Sequence, residues 1–164
     1  MMGFIDNGYN YAKDFGIKTY KYITAGVLLI NIEEMKNENI TYKFFEFIKK
    51  NRKLLKQKDQ TVINIVLHGR IGILPAKYGL WSYSNKSDLL FHNNYENYSN
   101  NLKCYDEKEL INAWKFPIII HYVINKPYIL DNYRLNNSFN KIWLNYAKKT
   151  GQLENIIKYY HFSI

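Results

Sequence analysis

Three stretches of the chain carry apolar residues in the pattern of buried β-strands. Tyr22–Asn31 (YITAGVLLIN) contains an uninterrupted apolar run with branched side chains, which predicts a strand buried on both faces of a sheet. Ile71–Leu74 predicts a short strand that Pro75 ends, because proline has no N–H to donate to a sheet. Ile118–Val123 again has the pattern of a buried strand, and it carries His121.

Helical periodicity fills much of the chain between these strands. Thr41–Gln57 places most large apolar residues on one face and its lysines mostly outward, with Thr41 able to cap the start. Asp59–His68 predicts a second helix, with Asp59 at the N-cap and Gly69 as its stop signal. The residues predicted to face inward from these two helices are Phe44, Phe45, Ile48, Leu55, Val62, Ile63, Val66 and Leu67.

Further helices are predicted in the second half of the chain. Asp106–Lys115 is amphipathic, and Asp106 with Glu109 three residues later forms a variant of the capping box. The remaining predicted elements are helices at Asn137–Lys149 and Gln152–Tyr160, a short helix or turn at Ile32–Asn39, and a polar loop or insertion at Asn85–Asn101.

The alternation of strands and helices indicates an α/β fold. The chain has 164 residues, of which 47% are hydrophobic and 17% aromatic, so it is unlike a disordered protein and long enough for a domain with a core. Neither an internal repeat nor a long low-complexity linker is visible. Residues 1–164 are therefore predicted to form a single domain.

The charge balance is strongly basic, with 23 Lys and Arg against 14 Asp and Glu and a net charge of +9. A nucleic-acid-binding protein is nevertheless disfavoured, because arginine, which makes bidentate phosphate and base contacts, occurs only at Arg52, Arg70 and Arg134. The lysines are scattered among Asn, Ile and Tyr, a bias that AT-rich coding would yield. We interpret the charge as a solvated surface that also attracts an anionic ligand or membrane face.

Cysteine content and hydropathy exclude other classes of protein. The single cysteine, Cys104, rules out an internal disulfide framework and a cysteine-based zinc site. The first residues lack the basic and apolar regions of a secretory signal. The longest apolar stretch, Ala25–Ile30, is far shorter than the roughly 20 residues that span a bilayer. We therefore expect a cytoplasmic protein.

His121 is the sharpest single candidate for chemistry, because a neutral imidazole is a common metal ligand. It ends a predicted strand just before a loop that contains Lys126, and ligands of open α/β sheets bind beyond the carboxyl ends of the strands. The alternative is a buried, hydrogen-bonded histidine followed by a surface lysine.

Two further signals stand near the start of predicted elements. Asp59 and Gln60 open a helix, where plain N-capping by Asp59 is the alternative to a functional role. Thr24, Ala25 and Gly26 begin a strand, and such small residues either let a ligand approach the backbone or only serve sheet packing. The chain contains no D-x-D, G-x-S-x-G, P-loop or G-x-G-x-x-G motif.

Five short blocks gain meaning from their order along the chain. They are YITAGVLLIN at Tyr22–Asn31, DQTVIN at Asp59–Asn64, LPAKY at Leu74–Tyr78, IIIHY at Ile118–Tyr122 with KPY at Lys126–Tyr128, and WLNYAKKT at Trp143–Thr150. The first four are similar to the patterns Y-F-N-[AS]-G-V-[LM]-L-I-N, D-Q-D-[VI]-[LI]-N, L-P-x-K-[YW]-N and I-I-H-[FY]-x-G-x-x-K-P-W. The chain thus resembles the family 8 retaining glycosyltransferases, the lipopolysaccharide galactosyl/glucosyltransferase and glycogenin-like group, over nearly its whole length.

This resemblance implies a GT-A fold, which is an α/β domain that binds a nucleotide sugar. It implies transfer of glucose or galactose from a UDP-sugar to a glycan or lipopolysaccharide acceptor, with retention at the anomeric carbon. It also implies a divalent metal, Mn²⁺ or Mg²⁺, that bridges the donor diphosphate, with His121 as a ligand and Lys126 in contact with the diphosphate.

The resemblance also assigns the residues around the donor sugar. Gln60 would lie next to the anomeric carbon with Asp59 close to the sugar ring, and both are taken as catalytic candidates. The sugar pocket would be lined by Thr24, Ala25 and Gly26.

Several positions depart from the family pattern. Thr24 stands where the family usually has Asn, and Thr61 replaces the second Asp of D-Q-D. The loop between His121 and Lys126 is shorter than usual and lacks its Gly, and Tyr128 replaces Trp.

The largest departure is at the start of the chain. In the family, the strand that resembles Met1–Asp6 follows the D-x-D motif and the nucleotide-binding half. We therefore expect the chain to be the carboxyl-terminal part of a family 8 catalytic domain, with an incomplete metal site and no activity alone. The alternative is a degenerate, non-catalytic module that binds a sugar or a partner.

Two interactions are predicted for such an incomplete domain. An exposed sheet edge and face would favour self-association. The carboxyl-terminal tail, interpreted as basic and carrying Tyr159, Tyr160 and Phe162, would contact the inner face of an anionic membrane peripherally. The alternative for the tail is a helix packed on the domain.

Overall fold

The computed structural model describes residues 1–5, 9–19, 21–81, 104–122 and 138–160. The strands are β1 (Met2–Ile5), β2 (Ile23–Leu29), β3 (Gly72–Ile73), β4 (Leu80–Trp81) and β5 (Ile120–His121). The α-helices are α1 (Tyr9–Ala12), α2 (Ile32–Asn37), α3 (Ile40–Asn51), α4 (Asp59–Val66), α5 (Glu107–Lys115), α6 (Ser138–Lys149) and α7 (Leu153–Tyr160). Short 3-10 helices cover Lys13–Phe15, Arg52–Leu54 and Ala76–Tyr78. The loop predicted at Asn85–Asn101 and the residue Lys126 lie outside the described residues.

The described strands form two sheets. In the first, β1 lies between β2, to which it is antiparallel, and β3, to which it is parallel. In the second, β4 and β5 pair in parallel. The described chain therefore mixes helices and strands, as the α/β prediction requires.

β2 confirms the strand predicted at Tyr22–Asn31 but not its burial on both faces. Ile23 and Thr24 are buried, whereas Leu29 is 59% exposed. β2 is an outer strand of the described sheet, so neighbouring elements cover only part of it.

The buried-strand prediction at Ile118–Val123 is wrong for its first two residues, and Val123 lies outside the described residues. The strand β5 comprises only Ile120 and His121, and both of these residues are half-buried. Ile118 and Ile119 are exposed, and their backbone N–H groups donate to Lys77 O instead of to a neighbouring strand.

The helix α3 begins before the predicted cap. Asn39, at a φ of 52°, is the N-cap, so Thr41 lies inside the helix. Phe45 was predicted to face inward and is 65% exposed, whereas Ile40 is buried and Phe44 half-buried. Ile40, Phe44 and Ile48 are spaced four residues apart and share the core-facing side of α3, whereas Phe45 is turned about 100° away from Phe44.

The helix α4 also differs from the prediction at its first residue. Its N-cap is Lys58, and Asp59 is the first helical residue, so N-capping by Asp59 is wrong. Val62 and Leu67 are buried as predicted, and Gly69 adopts the left-handed φ of 81° expected after a helix end.

The N-cap that was predicted for α5 is confirmed, but the Glu109 side chain binds Ala76 N and does not close the capping box. Asp106 Oδ1 accepts a hydrogen bond from Glu109 N at 2.6 Å. The Glu109 carboxylate accepts from Ala76 N at 2.9 Å, and Tyr105 donates its hydroxyl to Leu74 O at 2.9 Å. Both bonds hold the Leu74–Tyr78 segment against α5.

The main core cluster joins the two halves of the described chain. It comprises Ile23, Ala76, Tyr105, Leu110 and Ala113, and a second cluster contains Leu80 and Phe139. Among the described helices, none combines the length and the apolar composition needed to cross a membrane.

Candidate functional site

The centre of the site is a bulge in β2. Met2 and Gly3 pair regularly with Leu29 and Leu28, but Ile5 then pairs with Ile23. The four residues 24–27 of β2 therefore stand opposite a single residue of β1. Such bulges interrupt a sheet and re-aim the residues that they contain.

The bulge is held from within by Thr24. The Thr24 hydroxyl oxygen accepts a hydrogen bond from Gly26 N at 3.2 Å, and Thr24 is only 2% exposed. The Thr24 side chain therefore binds the backbone of its own strand, β2. Thr24 belongs to the site, but in this structure its hydroxyl holds the backbone.

Gln60 reaches the bulge from α4. Its Oε1 accepts a hydrogen bond from Ala25 N at 3.1 Å, and its Nε2 donates to Gln57 Oε1 at 3.1 Å. Because a backbone N–H can only donate, the first bond fixes which end of the Gln60 amide faces the strand. A carbonyl oxygen accepts two hydrogen bonds, so Gln60 Oε1 retains capacity for a second donor.

Asp59 precedes Gln60 at the exposed start of α4. The residue before it, Lys58, adopts a φ of 49°, which is uncommon for a side chain with a Cβ. Such backbone conformations cost about 1–3 kcal/mol and persist where surrounding contacts enforce them. The start of α4 is therefore a strained turn that presents both candidate residues.

His121 contacts the bulge from the second sheet. Gly26 faces the imidazole so closely that a Cβ built on it would lie 2.7 Å from His121 Nδ1 and closer still to Cε1 and Nε2. In the parallel pair of β4 and β5, His121 stands beside Trp81. Only glycine fits at position 26 with the ring in this place.

The structure thus brings five of the predicted residues to one place, and Asp59 precedes Gln60 at the exposed start of α4. Thr24, Ala25 and Gly26 form the bulge, Gln60 binds its backbone, and His121 covers it. Lys126 lies outside the described residues.

The metal implied for the family is not accommodated by these residues alone. Among the described residues, no group of three or more His, Cys, Asp and Glu side chains is arranged to hold an ion. His121 would supply one nitrogen, whereas Mn²⁺ and Mg²⁺ prefer several oxygen ligands.

Sequence reasoning missed Asn64, which fixes α4 to β2. Asn64 is 3% exposed, accepts from Ile23 N at 2.7 Å and donates to Ile23 O at 2.7 Å. The signal was present: Asn64 follows Gln60 by four residues, which places both on one face of α4.

Comparison with known proteins decides the family of this chain. The sequence profile described as "Glycosyl transferase family 8" matches residues 4–128, a range that includes every candidate residue above. The chain belongs to glycosyl transferase family 8. The resemblance found in the sequence is thereby confirmed, and the family implies a GT-A fold.

Curated relatives match a shorter part of this family 8 chain. A candidate glycosyltransferase of Haemophilus influenzae is 32% identical over 68 residues, which is 42% of this chain and 21% of the relative. A lipopolysaccharide 1,2-glucosyltransferase of Escherichia coli is 34% identical over 70 residues, which is 42% of this chain and 20% of the relative. The chain spans about a fifth of the length of these relatives. No solved structure gives a significant match.

Proposed function

We propose that this family 8 chain forms the sugar side of a nucleotide-sugar donor site in a retaining hexosyltransferase. The donor would be UDP-glucose or UDP-galactose, and the acceptor a glycan or lipopolysaccharide. One observation carries the proposal: Gln60, the β2 bulge and the His121 ring, which lie far apart in the sequence, meet at one place.

The chemistry of sugar transfer explains why such a meeting is useful. When the sugar–phosphate bond breaks, positive charge develops on the anomeric carbon and negative charge on the diphosphate. In this proposal, the second lone pair of Gln60 Oε1 faces the anomeric carbon, with the Asp59 carboxylate nearby. Oxygen atoms held in place before the reaction stabilise developing positive charge without reorganisation. Lys126 would stabilise the charge on the diphosphate.

The small residues of the bulge fit a sugar-binding role. Ala25 has a small side chain, so a donor sugar can approach its backbone closely. At Gly26 the His121 ring fills the place of a side chain, and the sugar would approach from another direction. The exposed position of Gly26 leaves such an approach open. His121 is the proposed metal ligand beside the β2 bulge. The described residues do not complete a metal site, and the roles proposed for Gln60 and Asp59 do not require the ion.

The isolated chain is expected to bind donor without turning it over. Enzymes of this family generally use a divalent metal, and the described residues do not include three or more His, Cys, Asp or Glu side chains arranged to hold one. A non-catalytic module that binds a sugar or a partner is the second candidate. It is favoured by the bonds of Gln60 to Ala25 and Gln57, which give this amide a structural role without any substrate.

Calorimetric titration with UDP-glucose and UDP-galactose, with Mn²⁺ present, tests the proposal. We expect saturable binding of at least one nucleotide sugar and loss of that binding in Gln60→Ala. Gln152→Ala, which changes an exposed glutamine of the chain, is the matched control and should bind normally. Absence of binding by the wild-type chain would refute the proposal, and steady hydrolysis would refute the expected inactivity.

We also propose that the protein works in the cytoplasm, peripherally on the inner face of the membrane. The net charge of +9 would attract it to anionic lipids, where a lipid-linked acceptor resides. The tail is not the source of this attraction, because α7 carries one acidic residue, Glu154, and one basic residue, Lys158. The description of the tail as basic is therefore wrong.

A further inference from the structure

An outer strand of a sheet leaves backbone groups to be satisfied along its free edge. In β2, Asn64 satisfies both groups of Ile23: its Oδ1 accepts from Ile23 N at 2.7 Å, and its Nδ2 donates to Ile23 O at 2.7 Å. The same Nδ2 donates to Gln60 O at 2.8 Å. The Asn64 amide thus binds Ile23 as a neighbouring strand would.

A second helix residue, Gln60, pairs with β2 two strand residues further along, at Ala25. Gln60 and Asn64 are four residues apart on a helix, a distance of about 6 Å along its axis. Ile23 and Ala25 are two residues apart on a strand, a distance of about 6.6 Å. With Asn64 bound to Ile23, Gln60 therefore comes opposite Ala25, where the bond at 3.1 Å is found.

Gln60 and Asn64 differ in whether a ligand can reach them. Gln60 is half-buried and lies at the bulge, where a ligand can reach it. Asn64 is 3% exposed and lies one helical turn further inside, so it cannot touch a substrate. Any effect of Asn64 on the site must pass through Ile23 and Gln60.

We propose that Asn64 is the positioning residue of the donor site: it sets the register of α4 against β2 and so holds the Gln60 carbonyl at the bulge. The effect on donor affinity rests on the proposed function, whereas the effect on the Gln60–Ala25 bond does not. Asn64→Asp tests both effects. The aspartate keeps the shape and the acceptor for Ile23 N but has no N–H to donate to Ile23 O or Gln60 O.

Asn51→Asp is the matched control. Asn51 donates its side-chain N–H to Phe47 O at 3.0 Å on α3, so this change also removes a bond from a side chain to the backbone, but away from β2. In Asn64→Asp we expect hydrogen exchange of the Ala25 amide to accelerate about tenfold or more, because a weaker Gln60–Ala25 bond opens more often and exposes this amide to water. We expect the dissociation constant for UDP-glucose or UDP-galactose to rise by a similar factor. Neither quantity should change in Asn51→Asp.

Each outcome decides one of the two claims. Unchanged exchange at Ala25 in a folded Asn64→Asp would overturn the proposal, and so would faster exchange with unchanged donor affinity. If the wild-type chain binds neither nucleotide sugar, the proposed function fails, and the exchange comparison still decides whether Asn64 holds Gln60. If Asn64→Asp does not fold, slow exchange of the Asn64 side-chain NH₂ in the wild-type protein supports the bonds, and exchange at the rate of a free amide refutes them.

Discussion

Among the single residues of the site, Gly26 and His121 pack so closely that there is no room for a Cβ between them. A Cβ at position 26 would lie 2.7 Å from Nδ1 and closer to two other ring atoms. Gly26→Ala should therefore displace the imidazole and lower the free energy of unfolding by about 1–3 kcal/mol, the usual cost of overpacking. Urea denaturation measures the loss, and the ring signals of His121 in an NMR spectrum report the displacement.

A second substitution separates this contact from other effects of the added methyl group. His121→Ala removes the ring, so Gly26→Ala should cost much less in that background. Unequal costs in the two backgrounds would give the coupling energy of the pair. Equal costs would show that the ring does not lie against Gly26.

The residues of the site differ in how far their place could be predicted from the sequence. The blocks around Thr24–Gly26, Gln60 and His121 identified residues that the fold brings together. The spacing of four residues places Gln60 and Asn64 on one face of α4, but it does not say which strand residues they bind. The bonds to Ile23 and Ala25, and the bulge in β2, depend on how a helix and two strands align. The bond that the Thr24 hydroxyl accepts from Gly26 N was equally absent from the local pattern, and the lining of a sugar pocket by Thr24 stays a prediction.

At the scale of elements, Arg70 fastens α2 to the turn after α4. Its guanidinium bonds Glu38 at 2.5 and 2.7 Å and Glu34 at 2.8 Å. The hydrogen bond from Arg70 holds the pKa of Glu38 below its usual value, with a smaller contribution from the charge of Lys43. A carboxyl with a lowered pKa stabilises the fold above its unfolded pKa, and this contribution disappears as the pH falls through the folded pKa.

Arg70→Gln should therefore raise the pKa of Glu38 toward its ordinary value, and Arg70→Lys, which keeps the charge but not the paired bonds, should raise it less. A carbon-detected NMR titration of the Glu38 carboxyl measures the change. High salt should weaken the shift in the wild-type protein, since this ion pair is exposed. An identical Glu38 titration in all three proteins would mean that the pair does not form in solution.

The elements differ in how far local sequence decided them. The α5 cap depends on Asp106 and the backbone three residues later, so a local pattern predicted it correctly. The burial of β2 and of Phe45 depends on which distant elements pack against them, and a local sequence pattern does not identify those elements. The start of α4 was misplaced because Lys58 adopts a backbone conformation that its side chain does not favour.

At the scale of the whole molecule, the positive charge is uneven. Residues 49–58 contain six cations and no acidic residue: Lys49, Lys50, Arg52, Lys53, Lys56 and Lys58. Of these, Lys56 pairs with Asp14 at 2.8 Å. Tyr42 and Phe45, which lie on α3 together with Lys49 and Lys50, are 60% and 65% exposed. Exposed aromatic residues beside lysines are typical of contacts with anionic membranes.

If the protein contacts a membrane peripherally, this segment should dominate the contact. Charge reversal of Lys49, Lys50 and Lys53 to Glu should abolish co-sedimentation with vesicles that contain anionic lipid, since each cation near the surface contributes about 1 kcal/mol. Truncation after Thr150 should have little effect. The reverse result would assign the contact to the tail, and equal binding to neutral vesicles would exclude an electrostatic contact.

The β2 bulge, Gln60 and His121 are proposed to form one site for a nucleotide sugar, and an NMR titration with UDP-glucose and UDP-galactose can show this. We expect the backbone amides of Ala25 and Gly26, the side-chain NH₂ of Gln60 and the ring of His121 to shift together and to saturate at one ligand concentration. Saturable shifts confined to other residues, or no shift with either donor, would contradict this proposal.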